Sequence, residues 1–228
     1  MYGYYLAGSV GYFGLVGITN RMPLKSSLVR EENELYNRLW IEKFQMVGQQ
    51  MVSAKELDID ENMRVDASPF MVVWLRNIEI LFNLLPKDID LTEYSLIDIG
   101  CGSGISTAFI YANYNLKSTR GFDFSKSLIE AALINKAMIE KSVRASSTIS
   151  FEINDATSFS VPNEKVILFL FNPFGWATMS VFIQNNIETL RRNGSYMLYA
   201  NDRCISELAE WGAVVARDDV FNLSVVRF

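Results

Sequence analysis

The sequence contains no histidine among its 228 residues. Histidine is the commonest general base in enzymes and the commonest metal ligand, and its absence excludes Ser-His-Asp and Cys-His nucleophilic catalysis. Cysteine is almost as scarce, because only Cys101 and Cys204 are present and they are not in C-x-x-C spacing. Two such cysteines argue against a zinc site or a disulfide framework and favour a reducing compartment. We therefore expect no metal site and a cytoplasmic protein.

Basic residues are outnumbered by acidic ones, with 21 Lys and Arg against 26 Asp and Glu and a formal net charge of −5. Proteins that bind nucleic acid neutralise its phosphates with clusters of basic residues, so this balance argues against a nucleic-acid partner. Half of the residues are hydrophobic and 21% are charged. Such a composition predicts a packed core rather than a disordered chain.

Acidic residues are absent from residues 1–30, which carry Arg21, Lys25 and Arg30. The segment also contains an apolar, glycine-rich run at residues 4–18. This run is shorter than the roughly 20 residues that a membrane-spanning helix needs, and it lacks the basic region of a secretory signal. Two interpretations remain open. The segment is either an arm that is mobile or packs on its own protein, or an arm that makes a peripheral contact with a membrane or a protein partner.

The chain before the first predicted strand is expected to be largely helical. Residues 28–56 have apolar side chains spaced among charges, with glutamates suited to a first helical turn. An acidic stretch at residues 58–62 then predicts a solvated linker. Asp66 followed by Pro69 is typical of a helix start, and we expect that helix to stop at Pro86.

Strands and helices alternate beyond residue 94. The predicted strands span 95–99, 118–123, 148–153, 165–171, 195–200, 213–217 and 222–227, and the predicted helices span 103–113, 125–141, 177–192 and 205–211. Alternation of this kind calls for a parallel sheet covered by helices on both faces, and the last two strands would form an antiparallel pair. The sequence therefore predicts an α/β fold, a doubly wound, mostly parallel seven-stranded sheet with an N-terminal helical extension. Residues 1–65 would form the arm and a helical lid or extension, and residues 66–228 the main domain.

The stretch S-L-I-D-I-G-C-G-S-G-I at residues 95–105 links the first predicted strand to its helix. Its glycines are Gly100, Gly102 and Gly104. Glycines are needed where a backbone takes positive φ or lets a ligand lie against it. The helix behind the loop directs unpaired backbone N–H groups toward that ligand. A small polar ligand is therefore expected on this loop, beyond the carboxyl end of the strand.

Asp123 ends the second predicted strand, 19 residues after Gly104. A carboxylate at this place can accept hydrogen bonds from the hydroxyls of a ribose. Dinucleotide-binding proteins share the arrangement, but their fingerprint has glycine at the first, third and sixth positions. The sixth position in this chain is Ile105. A nicotinamide-dependent oxidoreductase is therefore the less favoured alternative.

Four segments in the order D-I-G-C-G-S-G-I, G-F-D-F-S, N-D-A and F-N-P-F resemble the motifs of class I S-adenosylmethionine-dependent methyltransferases, in particular bacterial members with N-P-F after the fourth strand. The resemblance covers roughly residues 66–228 and implies S-adenosylmethionine as the cofactor. It implies that Asp98 lies near the cofactor's amino group, that Asp123 binds its ribose hydroxyls and that Phe124 lies against its adenine. The cofactor-binding residues that it implies are Asp98, Gly100, Cys101, Gly102, Gly104, Asp123, Phe124, Asp155, Ala156 and Asn172.

Several of these residues also have structural interpretations, which the sequence leaves open. Asp98 can cap backbone N–H groups of the loop, and Asp155 can form a turn. Phe124 can pack in the core, and Cys101 can be a small filler in the loop.

The segment N-P-F-G-W, which begins at Asn172, is the predicted acceptor site. The amide oxygen of Asn172 and the carbonyl oxygen of Pro173 can accept hydrogen bonds from an amine. Phe174 or Trp176 can offer an aromatic face. The segment resembles the N-P-P-aromatic motif of amino-methyltransferases, with Phe174 in place of the second proline. The resemblance implies catalytic roles for Asn172, Pro173 and Phe174, whereas the structural alternative is a strand-ending turn.

We therefore expect a methyltransferase whose methyl acceptor is unidentified and is a small molecule, a glycan or a protein side chain. A neutral amine needs no strong base, which agrees with the absence of histidine and favours nitrogen as the accepting atom. The alternative is a protein that keeps this fold as a binding scaffold without catalysis.

Overall fold

The computed structural model describes residues 26–58, 66–144 and 146–228. The predictions for residues 1–25, and for the acidic linker beyond residue 58, lie outside the described residues. The helices of the described part are α1 (Ser26–Lys43), α2 (Leu75–Leu84), α3 (Ile105–Asn113), α4 (Lys126–Ser142), α5 (Trp176–Arg192) and α6 (Ile205–Leu208). The strands are β1 (Ser95–Ile99), β2 (Ser118–Asp123), β3 (Ile149–Ile153), β4 (Val166–Phe171), β5 (Tyr196–Ala200), β6 (Ala213–Asp218) and β7 (Leu223–Arg227). None of these helices has the length and apolar character needed to cross a bilayer.

The strands form one seven-stranded sheet in the order β3-β2-β1-β4-β5-β7-β6. β1 pairs in parallel with β2 and β4, and the pairs β2–β3 and β4–β5 are also parallel. β7 runs antiparallel to both β5 and β6. The predicted α/β fold with a mostly parallel seven-stranded sheet and a final antiparallel pair is confirmed.

The alternation of side chains along β1 builds a core on each face of the sheet. Leu96 belongs to a cluster that includes Leu75 of α2 and Phe109 of α3. The next residue, Ile97, belongs to the opposite cluster, which includes Phe182 of α5. The central strand β4 reads V-I-L-F-L-F and is buried over its first five residues, as expected for a parallel strand with helices on both faces.

The sequence prediction of one long helix in the segment before α2 is wrong beyond residue 43. The sequence predicts a helix over residues 28–56, but α1 ends at Lys43. Gln45 and Gly48 have φ values of +53° and +71°. An α-helix has negative φ throughout, so no helix can continue through Gln45 or Gly48.

Residues 66–73, which we name the strap, are extended where the sequence predicts the first turns of a helix. Two antiparallel bridges fix the strap, from Ala67 to Phe174 and from Phe70 to Val52. Asp66 does cap a helix, but a different one, because its Oδ2 accepts the N–H of Thr178 in α5 at 2.8 Å. The predicted helix start at Asp66 is therefore wrong, and α2 begins at Leu75.

A buried asparagine of α4, Asn135, ties residues 44–58 to the glycine loop. Its Nδ2 donates to the carbonyls of Val47 and Ser103 at 2.9 and 2.8 Å. Its Oδ1 accepts the N–H of Val47 at 2.8 Å. The segment after α1 is therefore held against the edge of the sheet where the loop lies.

A second link joins this segment to the N-terminus of α4. Ser125 caps α4 as predicted, because its Oγ accepts the N–H of Leu128 at 3.3 Å. The carboxylate of Asp58 accepts hydrogen bonds from the hydroxyl of Ser125 and, at 2.9 Å, from the N–H of Ser127. A negative charge at a helix N-terminus is stabilising.

Replacement of Asn135 by Ala should lower the free energy of unfolding by at least about 2 kcal/mol, because the backbone groups of Val47 and Ser103 would lose their partner. Asn185→Ala is a matched control. Asn185 lies on the exposed side of α5 and donates one hydrogen bond, to the carbonyl of Thr157, so a loss below about 1 kcal/mol is expected. Urea unfolding followed by circular dichroism measures both. Equal losses would contradict the role assigned to Asn135.

Candidate functional site

The glycine loop, residues 100–104, lies at the carboxyl end of β1, where the order of the strands changes direction. β1 has β2 on one side and β4 on the other, which is the position where open α/β sheets bind ligands. A cavity lies at this edge. It is lined by the loop and the start of α3, by the residues that end β2 and β4, and by residues 68–73 of the strap.

Asp123 is a buried carboxylate that joins the end of β2 to the glycine loop. Its Oδ2 accepts the N–H of Gly102 and its Oδ1 accepts the N–H of Ser125, both at 2.9 Å. Burial raises the pKa of Asp123 to about 6, although these backbone hydrogen bonds act in the opposite direction. At neutral pH the carboxylate is therefore an incompletely compensated negative charge beside the cavity, which favours a ligand with donors or positive charge.

Asp98, near the end of β1, is a second buried carboxylate in the cavity wall. Its Oδ2 accepts hydrogen bonds from the hydroxyls of Ser106 and Thr107 at 2.7 and 2.6 Å. Burial raises the pKa of Asp98 to about 6, the two hydroxyls lower it, and the charge of Asp123 raises it further. Its partners are thus side chains of α3 rather than the backbone N–H groups of the loop that one interpretation of the sequence expects.

Each glycine of the loop lies close to a different neighbour. A Cβ atom on Gly100 would lie 2.3 Å from the Cβ of Pro173, and one on Gly104 would lie 2.6 Å from a ring in β3. A Cβ atom on Gly102 would lie 2.1 Å from the ring of Phe70 in the strap. The first and third glycines are therefore needed for packing against the end of β4 and against β3, whereas Gly102 presents its backbone to the strap.

Ser103 brings a buried polar atom without a partner to the cavity. Its side chain is 1% exposed and lines the cavity, and its Oγ has no hydrogen-bond partner among the described residues. An unsatisfied buried hydroxyl costs about 1–3 kcal/mol, which a polar ligand would relieve. This hydroxyl, the two carboxylates and the glycine backbone fit the chemistry of S-adenosylmethionine, a polar cation with a ribose. Among the described residues, no three acidic or cysteine side chains converge as a metal site would require.

The strap leaves little room in this cavity. Its volume is about 50 Å³, whereas pockets for small molecules measure about 300–1,000 Å³. The ring of Phe70 takes the space next to Gly102. The lining therefore fits the cofactor in its chemistry, while the cavity itself is smaller than small-molecule pockets usually are.

The structure brings part of the predicted cofactor-binding set to the cavity. The predicted residues that line it are Asp98, Gly100, Cys101, Asp123 and Phe124. Asp155 closes a turn by accepting the N–H of Thr157 at 2.9 Å. Ala156 is buried in the core cluster that contains α5. The turn-forming interpretation of Asp155 has direct support, and cofactor roles for Asp155 and Ala156 stay predictions.

Cys101 is buried in the loop, and burial raises the pKa of its thiol well above the ordinary value. A thiol that resists ionisation is a poor nucleophile. The interpretation of Cys101 as a small filler therefore agrees with its surroundings.

The N-P-F segment follows β4 at the same edge of the sheet. Asn172 has a φ of +45°, and its Oδ1 accepts the hydroxyl of Tyr199 at 3.4 Å. The carbonyl of Pro173 accepts the N–H of Ser68 at 3.0 Å. Phe174 is buried in the core cluster of α5. Of the predicted catalytic residues, Pro173 lines the cavity, and the catalytic roles of all three stay predictions.

The strap and two aromatic residues of β4 are not among the site residues that the sequence predicts. Phe169 and Phe171 line the cavity, and their two-residue spacing places them on one face of the strand. That spacing was a usable signal. Ser68 and Phe70 gave none, because the pattern around Asp66 is typical of a helix start and their contacts are with residues far along the chain.

Similarity to known proteins is found in the structure of the chain and not in its sequence. No family model matches the chain, and no curated protein matches its sequence. A candidate RNA methyltransferase from Pyrococcus horikoshii matches with a TM-score of 0.51 and 13% identity, over 84% of this chain and 95% of that one. This similarity shows that the chain has the Rossmann-like fold found among methyltransferases.

Two further solved structures match less well. The ribosomal protein L11 methylase of Lactobacillus delbrueckii subsp. bulgaricus has a TM-score of 0.47 and 12% identity, over 67% of this chain and 77% of that one. TrmK of M. capricolum, solved in complex with S-adenosyl-homocysteine, has a TM-score of 0.44 and 14% identity, over 69% and 68%.

Asp98→Asn should make stability less dependent on pH. A carboxyl group whose pKa rises on folding from 3.8 to about 6 keeps its proton in the folded chain where the unfolded chain has lost it, so stability falls as pH rises through that interval. Between pH 5 and 7.5 the ionisation of Asp98 should lower the free energy of unfolding of the wild type by about 1 kcal/mol. The variant lacks this contribution. Urea unfolding at both pH values measures the difference.

Asp90→Asn serves as the control for this measurement. The hydrogen bonds that Asp90 accepts from Thr92 lower its pKa, so this group titrates below the interval and the variant should keep the wild-type slope. A slope in Asp98→Asn as steep as in the wild type would refute the assignment.

Proposed function

We propose that the protein is an S-adenosylmethionine-dependent methyltransferase. The observation that carries the proposal is the glycine loop at the carboxyl end of β1, flanked by two buried carboxylates, Asp98 and Asp123, and carrying the unpartnered hydroxyl of Ser103. When bound, the cofactor supplies a methyl group activated on a sulfonium. The protein's own task is to bind, orient and desolvate.

The cofactor-binding half of the site would be negatively charged and buried. Asp98 and Asp123 are 1% and 7% exposed, and a cation beside them would stabilise their ionised forms. Asp123 would turn oxygen lone pairs toward ribose hydroxyls while it keeps the N–H of Gly102 in place. The hydroxyl of Ser103 would supply a further polar contact, and Phe124 an aromatic face.

The acceptor half would be the end of β4. The carbonyl of Pro173 has a second lone pair besides the one that the N–H of Ser68 uses, and Asn172 adds an amide oxygen. Two acceptors of this kind would orient an amine N–H group and leave its lone pair free to attack. No Lys or Arg lines the cavity in the described part of the chain, which favours a neutral or cationic acceptor over a phosphate-bearing one.

A non-catalytic binding protein is the second candidate function. The observation that favours it is the position of Phe70, whose ring takes the space beside Gly102 and leaves a cavity of about 50 Å³. A scaffold protein would bind the cofactor without turnover or would not bind it. Transfer of label from methyl-tritiated S-adenosylmethionine to a heat-inactivated cell extract, in the presence of the purified protein and not in its absence, would exclude this candidate.

Asp123→Asn should weaken the binding of S-adenosylhomocysteine at least about tenfold, a loss of about 1.4 kcal/mol, because the variant has no charged acceptor for the ribose hydroxyls. Asp123→Ala should weaken it further. Isothermal titration calorimetry measures the affinity, and circular dichroism confirms that each variant is folded.

Asp90→Ala is the matched control for binding. Like Asp123, Asp90 accepts two hydrogen bonds, from the backbone N–H and the hydroxyl of Thr92 at 3.0 and 2.6 Å. Unlike Asp123, Asp90 lies outside the cavity, at a 3₁₀ turn before β1. Its replacement should leave the affinity unchanged. Wild-type affinity in Asp123→Asn would argue against the proposed site.

A further inference from the structure

Two strap residues, Ser68 and Phe70, contact both halves of the candidate site. The ring of Phe70 lies so close to Gly102 that a Cβ atom there would be 2.1 Å away. The N–H of Ser68 donates to the carbonyl of Pro173 at 3.0 Å. Gly102 belongs to the cofactor loop, and Pro173 is a proposed acceptor-binding residue. The same short segment therefore occupies both halves at once.

We infer that the strap is an intramolecular competitor of the cofactor and must lift from the glycine loop before the cofactor binds. The inference rests on the proposed function. The cavity of about 50 Å³ is too small for a molecule that needs about 300 Å³ or more, and the group that fills the space is the ring of Phe70. Displacement of the strap would also release the carbonyl of Pro173 from Ser68. Cofactor binding would thus prepare the acceptor half of the site.

The strap is built to move in its middle and stay fixed at its ends. At one end the carbonyl of Asp66 accepts the N–H of Gly175 at 3.0 Å, and its carboxylate caps α5. At the other end the buried side chain of Asn37 donates to the carbonyl of Val73 at 2.8 Å and accepts the N–H of Leu75 at 2.9 Å. Both ends therefore have side-chain anchors within the protein.

The middle of the strap is held more weakly. Its backbone hydrogen bonds are those from Ser68 to Pro173 and between Phe70 and Val52. Pro69 between them is exposed and has no N–H to donate. The remaining contact with the loop is the half-buried ring of Phe70. Lifting the middle would break few interactions, and the anchors would return it.

When a segment of the chain competes with a ligand, the apparent affinity for the ligand is the intrinsic affinity multiplied by the fraction of molecules in which the segment has lifted. Phe70→Ala removes the ring and keeps the backbone bonds of the strap, so it should raise the affinity for S-adenosylhomocysteine about tenfold, which corresponds to about 1.4 kcal/mol. Phe70→Leu keeps more apolar volume for folding and should give a smaller rise. Titration calorimetry measures both variants against the wild type.

Phe228→Ala is the matched control. Phe228 is also half-buried, but it packs on the core cluster of α5 and lines a shallow surface with Trp211, away from the glycine loop. Its affinity for S-adenosylhomocysteine should equal that of the wild type. An equal rise in this variant would overturn the inference, because the effect would then reflect general loosening.

Amide hydrogen exchange by NMR gives a second readout. If the strap lifts, S-adenosylhomocysteine should speed the exchange of the Ser68 amide in the wild type, because this N–H loses the carbonyl of Pro173. If Phe70 were instead a wall that contacts the ligand, Phe70→Ala would bind more weakly and the Ser68 amide would be protected. That result would overturn the inference and leave the proposed function standing. Absence of binding in the wild type and in both Phe70 variants would overturn the proposed function and the inference with it.

Discussion

The hydrogen bond from the N–H of Gly102 to the carboxylate of Asp123 is the interaction on which the site depends. It joins the loop after β1 to the end of β2 at 2.9 Å, and the other oxygen of Asp123 holds the N–H of Ser125, the cap of α4. One buried carboxylate thus holds both the glycine loop and the start of α4 in place. The consequence is a charge that burial destabilises, with a pKa near 6, at the place where a cationic or hydroxyl-rich ligand would relieve it.

The chain covers this charged edge with its own strap. The protein therefore combines a lining suited to a polar cofactor with an apolar ring that lies against the glycine loop. These features would be compatible in a protein that exchanges the strap for the ligand. The buried charges and the hydroxyl of Ser103, which has no partner among the described residues, would then gain partners from the ligand. A lining of purely structural carboxylates would offer no such gain.

The sequence predicted the sheet well and the segments before it poorly, for a physical reason. β1 and β2 were predicted at their observed limits, because both ends carry local signals: β1 is a mostly apolar run that stops at a glycine, and β2 ends at Asp123 in the G-F-D-F-S motif. The sequence predicts a helix start in the strap, but the strap is extended because it pairs with Val52 and Phe174. These partners are distant in the chain, so no local pattern reveals the pairing. The residues of the site differ in the same way. Asp98 and Asp123 lie in sequence motifs that can be recognised locally, whereas Phe70 contacts the loop only through the tertiary structure.

The most direct test of the account is a crystal structure of the protein grown with S-adenosylhomocysteine. The account predicts the ligand against the backbone of Gly102 and the carboxylate of Asp123, with the ring of Phe70 moved off the loop and the carbonyl of Pro173 released from Ser68. A structure in which Phe70 still lies on Gly102, with the ligand absent or bound at another place, would contradict it.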